Sequence, residues 1–116
     1  MSLHKLYKSF GYAFAGIGYA LKTQVNMVIH LGATILVTVA GFYFRLTAVE
    51  WAIIVLAIGL VWVAEMLNTA IEATVDLVTE KIHPIAKMAK DVAAGAVLLA
   101  AFCSVIIGIL IFWPHI

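Results

Sequence analysis

The stretch VEWAIIVLAIGLVWVAEMLNTAIEATVDLV, residues 49–78, decides the architecture. After Glu50 it runs through 14 uncharged residues, Trp51 to Ala64, and then carries Glu65, Asn68, Glu72 and Asp76. Fourteen residues of helix are too few to cross about 30 Å of hydrocarbon, which takes roughly 20. Yet the helical pattern continues past Glu65, and from there neither Gly nor Pro interrupts it before Pro84. The stretch therefore reads as one long helix, a span whose last three turns leave the bilayer on one side. Offsets of 3, 7 and 11 residues from Glu65, at about 100° per residue, place Glu65, Asn68, Glu72 and Asp76 within roughly 80° of arc. They form a single polar stripe.

Working outward, 22 uncharged residues separate Lys22 from Arg45, and 25 follow Asp91. These supply two more spans, expected over 27–46 and 88–113. Over all 116 residues, 66% are apolar and 11% are Asp, Glu, Lys or Arg, far below the roughly 25% charged composition of soluble domains. The fold class is thus an all-α membrane protein, a single unit over 1–116 with no length left for a soluble catalytic domain. A formal charge of +1 argues against a nucleic-acid partner. The single cysteine, Cys103, excludes an intrachain disulfide and argues against a Cys-based zinc site. The first 22 residues show no compact apolar core with a small-residue cleavage site, so no secretory signal is expected.

Lys5, Lys8, Lys22, Lys81, Lys87 and Lys90 fall in the N-terminal segment and the loop between spans two and three, against Arg45 alone on the other side. The positive-inside rule puts the N-terminus inside and the C-terminus outside. Phe42, Tyr43, Phe44, Trp51, Phe112 and Trp113 then collect at the outer ends, as an interfacial aromatic belt does. Residues 4–23 differ from the spans. Leu6, Phe10, Phe14, Ile17 and Leu21 recur every three or four positions while Lys5, Lys8, Tyr12 and Lys22 interleave, which predicts an amphipathic helix lying on the inner membrane surface. The alternative is a disordered leader.

A carboxylate inside a span is costly, so it normally lines a cavity, pairs with a cation or holds a metal. The competing reading is that the helix has left the membrane and its stripe is simply wet. That suits Asp76 better than Glu65, which directly follows the apolar run. Beyond the stripe, Lys81, Ile82, His83 and Pro84 lead to Lys87, Lys90 and Asp91 at the start of span three. Carboxylates beside lysines at a membrane face suit a metal-bound polyphosphate. Hard oxygens hold Mg²⁺, ammonium groups hold phosphate oxygens, and a carboxylate takes a proton from an alcohol. A solvated charged loop is the plainer account of Glu80 and Lys87. No Walker-type loop is present, and Gly16-Ile17-Gly18 is an incomplete match to any glycine-rich loop. The histidines are too scattered for a cluster, and His30 reads as a hydrogen-bonded helix residue. Ala93, Ala94, Gly95, Ala96, Ala100 and Ala101 would let another helix approach span three closely.

The pattern E-x-x-N-x-A-I-E-x-x-V-D over 65–76, followed by His83-Pro84 and Ala86-Lys87-Met88-Ala89-Lys90-Asp91, resembles the signature of the prokaryotic diacylglycerol kinases, small integral-membrane lipid kinases. The likeness runs from Lys8-Ser9-Phe10 to Phe112-Trp113-Pro114. It implies a homotrimer of three-span subunits, each with a surface helix, and active sites shared between neighbours at the cytoplasmic face of the bacterial plasma membrane. It also implies ATP as phosphoryl donor, Mg²⁺ as cofactor and a membrane lipid alcohol as acceptor. By position in the motif, Glu65 would be the general base, Glu72 a ligand of the Mg²⁺ carried by ATP, and Asn68 its neighbour in orienting groups there. Lys90 and Asp91 would contact the nucleotide, with Lys5, Tyr12 and the stretch Lys81, Ile82 and His83 helping to form the ATP pocket.

One position departs from the family's pattern. Where members commonly carry a second metal carboxylate, this chain has Gln24, and nearby basic positions are Val25 and Val28. An amide oxygen can coordinate Mg²⁺ but brings no charge, so metal affinity should fall. An active kinase with a weakened metal site and an impaired enzyme are both compatible with that. His83-Pro84, Lys90-Asp91-Val92-Ala93-Ala94-Gly95-Ala96 and Val49-Glu50-Trp51 look more like the Gram-positive branch, which tends to phosphorylate undecaprenol, than like the branch acting on diacylglycerol. A proton-coupled small multidrug exporter with Glu65 as coupling site is the alternative from another class. Three spans rather than four, an acid at the inner edge, and Lys87 and Lys90 all oppose it. A non-enzymatic scaffold would use the stripe for helix pairing.

Overall fold

A computed structural model describes residues 2–116, and the chain is helical almost throughout. Four helices follow one another, α1 over Leu3–Thr23, α2 over Val25–Tyr43, α3 over Ala48–Val78 and α4 over Pro84–Phe112, with a short 3-10 turn at Trp113–His115. No strand occurs among the described residues. Helices α2, α3 and α4 are each long and apolar enough to cross a membrane. Their surface supports that reading. Ile35, Leu36, Val39, Val55, Leu56, Leu98, Leu99, Phe102 and Leu110 are all exposed, an arrangement water would penalise and lipid does not.

The helix ends have local causes. Ser2 caps α1, its hydroxyl accepting the Lys5 N–H at 3.2 Å. Span one was expected to reach 46, but α2 stops at Tyr43. Arg45 adopts φ 54°, the Arg45 N–H bonds the Phe42 carbonyl and the Leu46 N–H bonds the Gly41 carbonyl. That is a Schellman turn, with an arginine in the left-handed position usually given to glycine. Thr47 and Glu50 then form a reciprocal capping box at the start of α3, with bonds of 3.0 and 3.2 Å. Helix α4 begins at Pro84, ahead of the 88 expected for its span. Proline fits the first helical position, and the His83 Nδ1 accepts the Ile85 N–H at 3.1 Å as the cap.

Helices α3 and α4 form an antiparallel hairpin pinned along its whole length. Lys90 meets Asp76 at 2.6 Å at one end, the Ser104 hydroxyl donates to the Ala57 carbonyl at 3.1 Å in the middle, and His115 meets Glu50 at 3.0 Å at the other end. Buried Ala93 and Ala100 on α4 and Ala57 on α3 keep the axes close, as small residues do in membranes. A cluster of Leu46, Ile54 and Ile111 closes the end of the hairpin nearest the α2–α3 turn, with Trp51 and Phe112 packed against it.

Helix α2 runs antiparallel to α3. Trp51 lies over Gly41, where an added Cβ would come within 2.5 Å of the indole, so only glycine admits this crossing. Deeper in, the Trp62 indole N–H donates to the Thr34 hydroxyl at 2.9 Å, and that hydroxyl donates to the His30 carbonyl at 2.7 Å. Between α2, α3 and α4 lies an apolar groove of about 260 Å³. Helix α1 is the least attached element. It packs on α2 and α3 near its end, where Ala20 is buried, while residues 2–16 are exposed.

Candidate active site

Glu65 occupies the last apolar turn of α3 and is 1% exposed, the most buried charged residue of the chain. Neither of its carboxylate oxygens has a hydrogen-bond partner. Facing it from α2 is His30, 17% exposed at the side chain, with Nε2 3.5 Å from the Glu65 Oε2 and no other partner. Thr69 bonds the Glu65 main-chain carbonyl at 2.9 Å and leaves the carboxylate free. Unpartnered acceptors in an apolar setting are costly, so their retention points to a task beyond packing.

The next turns continue the stripe. The Asn68 Nδ2 donates to the Glu72 Oε1 at 3.0 Å, and the Asn68 Oδ1 is buried without a partner. One turn further, Asp76 accepts from the Lys90 Nζ, while Lys87 and Asp91 pair within α4 at 2.6 Å. Asp76, Lys81, Ile82, His83, Lys90 and Asp91 line a cavity of about 390 Å³ at the α3–α4 turn, within the size range of ligand sites. An ammonium group has three donors, so Lys90 retains two beyond its bond to Asp76.

The structure thus brings Glu65, Asn68 and Glu72 onto one face of α3 and gathers Lys81, Ile82, His83, Lys90 and Asp91 around one cavity. It does not bring Lys5 and Tyr12 there. Both sit on the exposed part of α1, Tyr12 at 73% exposure, and neither lines the cavity or the groove. Gln24 is half-buried at the joint of α1 and α2, where its backbone serves both helix ends and its side chain makes no capping bond. Among the described residues of one chain, no three His, Cys, Asp or Glu side chains converge as a metal centre.

The sequence reads His30 as a hydrogen-bonded helix residue; its Nε2 is instead unpartnered and turned toward Glu65. A signal for this existed. His30 lies two turns beyond Lys22, at a depth an antiparallel neighbour can match with Glu65, but only the register of α2 against α3 converts depth into contact.

Three apolar helices, a buried carboxylate and a cavity lined by lysines and carboxylates define a multi-pass membrane protein. The sequence pattern of the prokaryotic diacylglycerol kinases matches residues 11–112, and the chain belongs to that family. The undecaprenol kinase of Bacillus subtilis is 49% identical over 98% of this chain and 93% of its own length. The diacylglycerol kinase of Synechocystis is 48% identical over 86% of this chain and 58% of its own. The diacylglycerol kinase of Escherichia coli K12 is 29% identical over 96% and 91%. The chain is accordingly a phosphotransferase with an alcohol acceptor, a lipid kinase.

Proposed function

We propose that this protein transfers the γ-phosphoryl group of ATP directly to the primary hydroxyl of a membrane lipid, undecaprenol or diacylglycerol, with Glu65 as general base. The observation that carries this is the Glu65 carboxylate, buried at the end of the apolar part of α3 with both oxygens free. A lipid hydroxyl brought to that depth meets an acceptor that has no competing bond. Its proton passes to Glu65 as its oxygen attacks the γ-phosphorus, and the bond from that phosphorus to the bridging oxygen breaks to release ADP.

Mg²⁺ supplies neutralisation of phosphate charge, and the donor set fits it. The Glu72 carboxylate and the orphaned Asn68 Oδ1 are hard oxygens side by side, with Gln24 as a further amide oxygen on the α1–α2 joint. Lys90 and Lys81 hold phosphate oxygens, Asp91 orients Lys87 and the nucleotide, and Ile82 and His83 form the cavity wall. Lys5 and Tyr12 complete the ATP pocket from the surface helix. Because one chain does not bring α1 to the cavity, the site is completed between subunits of a homotrimer. The N-terminus and the α3–α4 turn, where the lysines gather, lie in the cytoplasm, and the C-terminus lies outside.

The experiment is transfer of radiolabel from ATP by purified protein in mixed micelles, with undecaprenol and diacylglycerol side by side. Label is expected in one lipid and is expected to vanish in Glu65→Gln, whose melting temperature stays that of the parent. Label in neither lipid, from folded protein, or undiminished label in the variant, overturns the assignment.

A further inference from the structure

We infer that His30 is the positioning residue of Glu65, and that the two form a buried cross-helix pair acting as one unit in the transfer step. This rests on the reading of Glu65 as the base and goes further by naming what holds that base.

Three buried polar atoms lie against each other with no other partner, the His30 Nε2 and both Glu65 carboxylate oxygens. The Nε2 to Oε2 distance of 3.5 Å is longer than a hydrogen bond, a spacing common in sites that tighten when substrate arrives. The neighbours leave no rival for either group. From α3 the only ion-pairing distance to His30 is that of Glu65. From α4 the groove beside His30 receives Ala101, Ser104, Val105 and Gly108, none of them charged. From α1 the packed end presents buried Ala20, and Lys22 is exposed and in no ion pair. Thr34 and Trp62 tie α2 to α3 one turn below His30, since the Trp62 indole donates to the Thr34 hydroxyl and that hydroxyl donates to the His30 main-chain carbonyl. The register of α2 on α3 therefore sets the imidazole beside the carboxylate.

The chemistry follows from the tautomer with hydrogen on Nε2. Its N–H faces Oε2 and turns Oε1 to the lipid hydroxyl. When the hydroxyl proton passes to Oε1, the oxygen lone pair forms the new P–O bond and the ADP oxygen leaves with the old bonding pair. His30 keeps its own proton and acts through Glu65 alone. His30 also lines the apolar groove, so the position that orients the carboxylate borders the apolar surface between α2, α3 and α4.

The test is the steady-state kinetics of His30→Leu and His30→Gln, against the parent and Glu65→Gln, each with a thermal melt. In His30→Leu, kcat is expected to fall about 10- to 100-fold, the scale of a misplaced catalytic group, with KM for ATP unchanged and an altered pH–rate profile. His30→Gln, which restores an N–H donor, is expected to recover much of the lost kcat. A folded His30→Leu with parental kcat and pH profile overturns the pairing, as does a loss in both variants that tracks a lowered melting temperature. Undiminished turnover in Glu65→Gln instead removes the base assignment itself, which separates the two failures.

Discussion

A carboxylate in the apolar part of a span is costly, and Glu65 is held at the end of the apolar part of α3 without a hydrogen bond to its carboxylate. A group retained at such cost and then replaced by its amide should leave folding intact while removing a general base. Glu65→Gln is expected to lower turnover by roughly 10²- to 10⁴-fold with an unchanged melt, measured in the micelle assay. Gln24 gives the second expectation at this scale. Its side chain makes no capping bond, so Gln24→Glu can add a carboxylate without breaking a helix end. The variant is expected to reach half-maximal activity at lower Mg²⁺, and unchanged Mg²⁺ dependence and rate together would show that position 24 does not serve the metal. Glu65 was legible in the sequence because a charge directly after an uncharged run has few innocent explanations. His30 was not, since a single polar residue in a span says nothing of its partner until two helices are set in register.

At the scale of elements, the crossing of α2 and α3 depends on the absent side chain of Gly41. A methyl group there would come within 2.5 Å of the Trp51 ring, so Gly41→Ala is expected to destabilise the fold by about 1 to 3 kcal/mol, read from thermal or denaturant unfolding in detergent. The hairpin of α3 and α4 depends on small residues and on the Ser104 bond to the Ala57 carbonyl. Ser104→Ala is expected to cost about 0.6 kcal/mol, the usual worth of an interhelical bond in a membrane, by the same measurement. The three spans and the long second helix could be read from charge spacing alone. Their ends could not, because the stop at Tyr43 comes from a left-handed arginine that no composition rule anticipates, and the start at Pro84 from a proline that serves equally as breaker and first residue.

At the scale of the molecule, the surface is large for a chain of this mass. The chain exposes 8703 Å², against roughly 6200 Å² for a compact soluble protein of 12.6 kDa, and much of the excess is apolar. Lipid covers part of it and, on the proposed trimer, neighbouring copies cover more. If active sites are shared between subunits, mixing Lys5→Ala protein with Glu65→Gln protein should regenerate sites that carry neither change. Activity of the mixture above the sum of the two parts is the expected outcome, and strict additivity argues for sites complete within one chain.

Glu65 stands 15 residues along α3 from Glu50, about 22 Å of helix, so its distance from the Glu50 end of the span is fixed by a rod pinned to α4 at both ends and the middle. The helix works as a dipstick. On the proposed mechanism, acceptors would be sorted by how far below the headgroups their hydroxyl can settle, and with the carboxylate sealed off bulk water would compete poorly for the phosphoryl group. ATP should be spent slowly when no lipid alcohol stands at the mark.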